Sequence, residues 1–312
     1  MSNVVATVSQ IANQKIGYDI AFPNLNIFIK TLKNSLVIGN YTIAYYGIII
    51  AVAMLVGFYV ATKVASKLKI NDDILYDIFI ILIVLGIIGA RIYYIMFKWD
   101  YYSIRPHEIL DIRAGGLAVF GGIILVIIGI AVYCFVKKIN FIKILDVTAV
   151  GAVIGQAIGR YGNFFNMEAF GDYTNNIFAM RMRAEYISRD VMSVGHIANI
   201  INQDGVQYIQ AHPTFFYEST LNIVLFVVLL YIVLKKHMFD GQLIATYFIG
   251  YGIIRFFVES LRTDSLMLGD YKISQIVAVV IFVTGIAIYV MNYKKIKPFD
   301  KVYKIPTSMK KK

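Results

Sequence analysis

Seven apolar stretches, each long enough to cross a hydrocarbon core of about 30 Å, constrain this chain more than any other feature. They fall near residues 41–62, 75–97, 116–136, 144–160, 213–234, 243–260 and 273–292. A backbone that runs through lipid must satisfy its own polar groups, and for runs of this length the α-helix does so. With 59% of its 312 residues hydrophobic and 16% charged, the chain carries more apolar surface than a water-soluble core could hide. The expected fold class is all-α: a polytopic membrane protein of about seven transmembrane helices.

The net charge of +11 would suggest nucleic acid in a soluble chain, but here the lysines bracket the apolar runs. Lys63, Lys67 and Lys69 follow the first span, Lys137, Lys138 and Lys143 separate the third from the fourth, and Lys235 and Lys236 follow the fifth. The tail adds Lys294, Lys295, Lys297, Lys301, Lys304 and Lys310 to Lys312. Cytoplasmic loops collect Lys and Arg, so the N-terminus is expected outside and the C-terminus in the cytoplasm. The opposite loops mix signs, as in Asp100, Arg105, Glu108, Asp111 and Arg113. Residues 172–211 form a polar extracytoplasmic insert. Residues 21–40, with Phe22, Leu25, Phe28, Ile29, Leu32 and Leu36 around Lys30 and Lys33, are too short and polar to span and are expected as an interfacial arm. Residues 1–20 lack the pattern of a signal peptide, so targeting falls to the first span. The whole, 1–312, is read as a single integral membrane domain. Cys134 lies in an apolar run with no electropositive neighbour and is expected to pack rather than react.

Ionisable residues at membrane depth cost at least about 2.5–3.5 kcal/mol on insertion scales, so each should be paired, hydrated or functional. Arg91 closes the second span, Glu218 lies inside the fifth, and Arg255 and Glu259 lie inside the sixth. Tyr251, Arg255, Glu259 and Arg262 recur at steps of four, four and three, which puts them on one helical face. Such a face is either a self-neutralising Arg–Glu pair or a place for an anion, and the excess of Arg favours the anion. The run Gly159-Arg160-Tyr161-Gly162-Asn163-Phe164-Phe165-Asn166-Met167-Glu168 ends the fourth span. Arg holds phosphate bidentately and Asn both donates and accepts, so this run suits a phosphate site, the plainer alternative being a solvated helix terminus. The glycine pairs of 115–122 suit close helix packing. Pro213 suits the first turn of the fifth span and leaves His212 at the water boundary, where a hydrogen-bonding role outweighs that of a base.

Taken in order, these segments resemble the bacterial prolipoprotein diacylglyceryl transferase family over nearly the whole chain. The resemblance runs through Phe22-Pro23, Tyr45-Tyr46-Gly47, Gly89-Ala90-Arg91, the glycine pairs of 115–122, Gly159 to Glu168 with Gly171, His212-Pro213 to Tyr217-Glu218, and Tyr251-Gly252 to Arg262. It implies transfer of the diacylglyceryl group of phosphatidylglycerol to the lipobox cysteine of a preprolipoprotein, in the bacterial cell membrane. A thioether forms and glycerol phosphate leaves, with no metal, cofactor or nucleic acid involved. By matching position, Arg160 would bind the lipid phosphate, with Asn163, Gly171, Tyr251, Arg91 and His212 also on the binding side. Glu168, Arg255, Glu259 and Tyr46 would serve catalysis. Two positions depart from the pattern. Phe120 stands where many members carry a His proposed as the base, so either that His is not a universal base or another group, Glu168, Glu259 or His212, takes the proton here. Ala44 replaces an Arg that often precedes the first Tyr-Gly. The rival readings are a transporter or channel for a small anion and a non-catalytic assembly factor.

Overall fold

The computed structural model describes residues 19–111 and 115–292. Expectations placed on residues 1–18, on Arg113 and on the lysines from Lys294 to Lys312 lie outside the described residues. Among the described residues, seven helices are long and apolar enough to cross a membrane. They are α1 (Tyr45–Lys67), α2 (Asp72–Phe97), α4 (Val119–Lys137), α5 (Phe141–Phe165), α7 (Thr214–Tyr231, continued by a π-helical turn to Lys236), α8 (Gln242–Leu261) and α9 (Ile273–Asn292). Two short helices, α3 (Trp99–Tyr102) and α6 (Val194–Ala198), lie in the connections. Local chemistry sets the ends. Asn71 caps α2 by accepting the Asp73 amide at 3.1 Å, and Asp72 and Asp73 suit the positive end of the helix dipole. The fourth span runs to Phe165, beyond the expected end near 160, so Arg160 and Asn163 are helical residues.

The described chain divides into two compact units, residues 58–151 and the remainder. In the first, α2 and α4 meet through glycines: a Cβ on Gly122 would lie 2.8 Å from the Gly86 carbonyl oxygen. Close packing thus accounts for Gly121 and Gly122, whereas Gly115 and Gly116 precede the helix at φ 87° and 73°, where the left-handed backbone favours glycine. Cys134 is buried with Ile78, Ile130 and Ile144, the packing role expected of it.

The other unit adds strands to the helices. A five-stranded antiparallel sheet has the order β2 (Ile27–Ile29), β1 (Ile20–Phe22), β5 (Met180–Arg183), β7 (Val206–Ala211), β6 (Ile201–Gln203). Two hairpins, β3 (Ser35–Ile38) with β4 (Tyr41–Ala44) and β8 (Met267–Leu268) with β9 (Tyr271–Lys272), complete the strands. The arm and the insert, read separately in the sequence, are therefore one structure: Ile20 pairs with Met182 and Ala21 with Arg181. Asp19 fastens the join, accepting the Leu32 amide at 2.8 Å and pairing with Arg183 at 3.3 Å. Beneath the sheet, Ile20, Met180, Met182 and Ile209 pack with Phe170 and Phe215, which joins the sheet to the start of α7.

Candidate functional site

The polar faces of α5, α7 and α8 converge inside the second unit. Glu218, on the second turn of α7, is 1% exposed and sits between two guanidinium groups from other helices. Arg160 Nη2 of α5 donates to its Oε1 at 2.6 Å, and Arg255 Nη1 of α8 donates to its Oε2 at 3.3 Å. The Tyr251 hydroxyl donates to Oε1 at 3.3 Å. One turn further along α8, Glu259 pairs with Arg255 at 2.6 Å and Arg262 at 3.8 Å. Arg262 also grips Asp264 with bonds of 2.9 and 3.1 Å, and Lys272 closes the end of α8 by donating to the carbonyls of Glu259 and Arg262 at 2.8 and 2.7 Å. The four-residue step read from the sequence thus builds a face, but an additional carboxylate from α7 lies against it. Four cations, Arg160, Arg255, Arg262 and Lys272, stand with four carboxylates, Glu168, Glu218, Glu259 and Asp264. The expected excess of arginine is balanced in the free protein.

The C-terminal end of α5 extends the cluster. Asn163 Nδ2 donates to Glu168 Oε1 at 2.9 Å, Asn166 Nδ2 donates to the same oxygen at 3.3 Å, and Arg160 Nη1 lies 3.5 Å from Asn163 Oδ1. The chain leaves the helix through left-handed residues, Met167 at φ 52° and Ala169 at φ 56°, an arrangement that L side chains adopt at a cost. This turn aims Glu168 back at α5. Tyr46 packs its ring against Gly162, where a Cβ would lie 2.5 Å from the ring, and its phenol lies within the electrostatic reach of Glu168 and Arg160. Gly171 is a crossing point rather than a ligand by itself: its amide donates to the His212 carbonyl at 2.9 Å, and a Cβ would meet the Leu261 carbonyl oxygen at 2.9 Å.

Two expected site residues make their hydrogen bonds to other groups than this cluster. Arg91 belongs to the unit of residues 58–151, and its five N–H donors all meet backbone carbonyls. Nε donates to Ile109 at 2.9 Å, Nη1 to Gly115 and Gly116 at 2.9 and 3.0 Å, and Nη2 to Glu108 and Asp111 at 2.7 and 3.0 Å. A guanidinium has five donors, so this one is committed to holding its loop. His212 lies with Tyr217 and Asn176 below the sheet, Nδ1 being 3.3 Å from the Tyr217 hydroxyl. Burial pushes the His212 and His196 imidazoles below the ordinary histidine value, against the pull of Asp172. Asp172 itself is held below the usual carboxylate range: burial opposes this, but hydrogen bonds from the Ser193 hydroxyl and the Tyr173 amide outweigh it. Glu218 is the residue that reading by position left out of the site. Its depth in an apolar span was a signal, but its partners come from two other helices.

A family model described as prolipoprotein diacylglyceryl transferase matches residues 33–291. The chain belongs to the prolipoprotein diacylglyceryl transferase family. A relative from Finegoldia magna, named phosphatidylglycerol–prolipoprotein diacylglyceryl transferase, is 41% identical over 253 residues, covering 81% of this chain and 92% of the relative. A relative of the same name from Bacillus mycoides is 39% identical over 270 residues, 85% of this chain and 93% of its own length. The family match takes in α1 through most of α9, and with them every side chain of the Arg160–Glu218–Arg255 cluster.

Proposed function

We propose that this protein transfers the diacylglyceryl group of phosphatidylglycerol to the lipobox cysteine of a preprolipoprotein in the bacterial membrane. The observation that carries the reading is the convergence of Arg160 and Arg255, from different helices, on one carboxylate-sized position occupied in the free protein by Glu218. Two guanidiniums aimed at one buried oxyanion suit a phosphodiester, whose bidentate pairing with Arg is strong and geometrically specific. Family membership supplies the substrate class.

In the proposed step the cysteine sulfur attacks the carbon of the diacylglyceryl group that is bonded to the phosphate oxygen, not the headgroup glycerol carbon. The S–C bond forms, the C–O bond breaks, and its electron pair stays on the phosphate, which leaves as glycerol phosphate. Arg160 and Arg255 stabilise the charge that gathers there. A phosphate arriving between them displaces Glu218 and leaves that carboxylate with fewer cationic partners, placing a proton acceptor beside the thiol. The thiol proton passes to Glu218 and ends on the departing phosphate, so that charge and atoms balance. Asn163, Glu168 and Tyr46 border the open end of the cluster, Tyr251 orients Glu218, and Glu259 holds Arg255. Phe120 can take no proton, and this route needs none from it. With the lysine-rich loops taken as cytoplasmic, the C-terminal end of α5 and the sheet are expected on the outer face. The rival transporter and assembly-factor readings draw no support from the fold or the family.

The test is the purified protein in phosphatidylglycerol bilayers with a lipobox peptide. Expected are a gain of one diacylglyceryl mass on the peptide and one glycerol phosphate released per transfer. Arg160→Ala should abolish transfer while the protein stays folded in the membrane. Retained transfer would refute the phosphate role.

A further inference from the structure

A cavity of about 520 Å³ opens beside the cluster, in the same unit, between β3 and the end of α5. Ser35, Leu36 and Val37 form one wall and Tyr45, Phe165 and Asn166 the other. The wall made by β3 is a sheet edge. Among the described residues β3 pairs with β4 alone, in the register Leu36↔Ile43 and Ile38↔Tyr41. The same register continues to Asn34, whose carbonyl accepts the Tyr45 amide at 2.9 Å. Residues 34, 36 and 38 therefore turn their polar groups towards β4. By the alternation of an antiparallel pair, Ser35 and Val37 turn theirs away, along the cavity. Gly39 at φ 59° closes the hairpin in the turn that fixes this phase. An open edge is a template for another strand, and natural sheets usually blunt or cover it. Leu36, Val37, Ile38, Tyr41 and Ile43 are all exposed apolar residues, and the charge near the edge is Lys33, which lines the cavity just before the strand begins. β4 also runs directly into the first span at Tyr45, so the edge stands at the lipid boundary, where unpaired backbone groups are expensive.

We infer that the free edge of β3 receives the acceptor polypeptide as an added strand, with the segment beside its cysteine lying extended in this cavity. The inference rests on the transfer reading above and names how its second substrate is held. Continuity with the cluster supports the occupant. Asn166 lines the cavity and donates to Glu168, which accepts from Asn163, the neighbour of Arg160. Asn166, just past the end of the helix, is six residue steps from Arg160, about 9 Å at 1.5 Å per step. An extended peptide covers that distance in about three residues at roughly 3.3 Å each. A thiol attacking a phosphate ester at Arg160 must bring its flanking chain past this wall. Main-chain bonds to Ser35 and Val37 hold a peptide whatever its side chains, while Leu36, Tyr45 and Phe165 favour small or apolar ones, the combination of β-strand addition.

The test is an N-methyl scan of the lipobox peptide, one backbone amide at a time on both sides of the cysteine, with KM and kcat measured in phosphatidylglycerol bilayers. Expected is a two-residue period on one side: alternate methyl groups raise the peptide KM about tenfold, and those between them change it little, with kcat retained. Leu36→Trp, which fills the cavity, should raise the peptide KM and leave the KM for phosphatidylglycerol unchanged. A flat scan overturns the inference. So does a Leu36→Trp variant in which only the lipid KM rises, because the cavity then belongs to an acyl chain. Failure of the wild-type protein to modify the unmethylated peptide would instead refute the transfer reading.

Discussion

Replacing Glu218 by Gln should tighten the binding of glycerol phosphate while turnover falls, a combination that damage to the fold cannot produce. Glu218 is buried and shares its two oxygens between Arg160 at 2.6 Å and Arg255 at 3.3 Å. Any phosphate that uses these guanidiniums must displace it. Hydrogen bonds to charged groups contribute about 1.5–3 kcal/mol each, and Gln gives up the charge while keeping one acceptor. Removing the competitor should therefore favour the anion by about 1.4–2.8 kcal/mol, a 10- to 100-fold drop in the inhibition constant of glycerol phosphate. The same change removes the proposed proton acceptor, and general base catalysis typically supplies 10²–10⁴-fold, so kcat should fall by about that factor. The folded state loses a partner for two buried cations, at about 3 kcal/mol or somewhat less because an acceptor remains. The assay is peptide modification in phosphatidylglycerol bilayers with glycerol phosphate as inhibitor, beside a thermal unfolding trace. Weaker inhibition accompanied by unfolding would refute the reasoning and make Glu218 a strut.

Arg91→Met should destabilise the protein by several kcal/mol, since five carbonyls lose their donor, and activity should fall only in step with the folded fraction; a kcat loss in fully folded protein would return Arg91 to the substrate. Gly171→Ala should impair both folding and transfer, because its Cβ would press on the Leu261 carbonyl and His212 at 2.9 and 2.8 Å where three segments meet; unchanged thermal stability would refute that packing. Met167→Gly should stabilise by up to about 1 kcal/mol by relieving a left-handed residue, read as a rise in unfolding temperature. Acid should destabilise the sheet region. His196 and His212 have lowered values, so the unfolded chain takes up protons first as pH falls below about 6.5, and stability is lost through that window. Asp172, also lowered, continues the loss below the ordinary carboxylate range. Unfolding temperature against pH should therefore decline from near 6.5 downward, and His196→Gln should flatten the upper part; a curve flat from pH 7 to 5 would refute the assignment.

The helices were legible because lipid imposes a rule that composition alone carries: a run of about twenty apolar residues has one way to satisfy its backbone. The face of Tyr251, Arg255 and Glu259 was legible because a helix has a fixed period. What escaped the sequence depends on partners far apart in it. The arm's Ala21 and the insert's Arg181 are 160 positions apart yet pair in one sheet, and short strands in polar loops have no pattern strong enough to announce it. The run at Arg160 read as the edge of a helix because Gly and Asn are poor helix residues, but the Arg160–Glu218 pair and the Asn163–Glu168 bond hold it helical to Phe165.

Glu218 escaped for a further physical reason that bears on Phe120. A sequence shows which residues can ionise but not which charges share a site, so an arginine excess counted along α8 looked like an empty anion site. The fold fills that site with a carboxylate from α7. On the proposed reading the protein carries a phosphate mimic within itself, and an arriving lipid would exchange one anion for another rather than enter an unmatched field of charge. That exchange would leave a displaced carboxylate next to the place proposed for loss of the thiol proton. A cluster with that carboxylate built in can accept the proton without the histidine that Phe120 replaces.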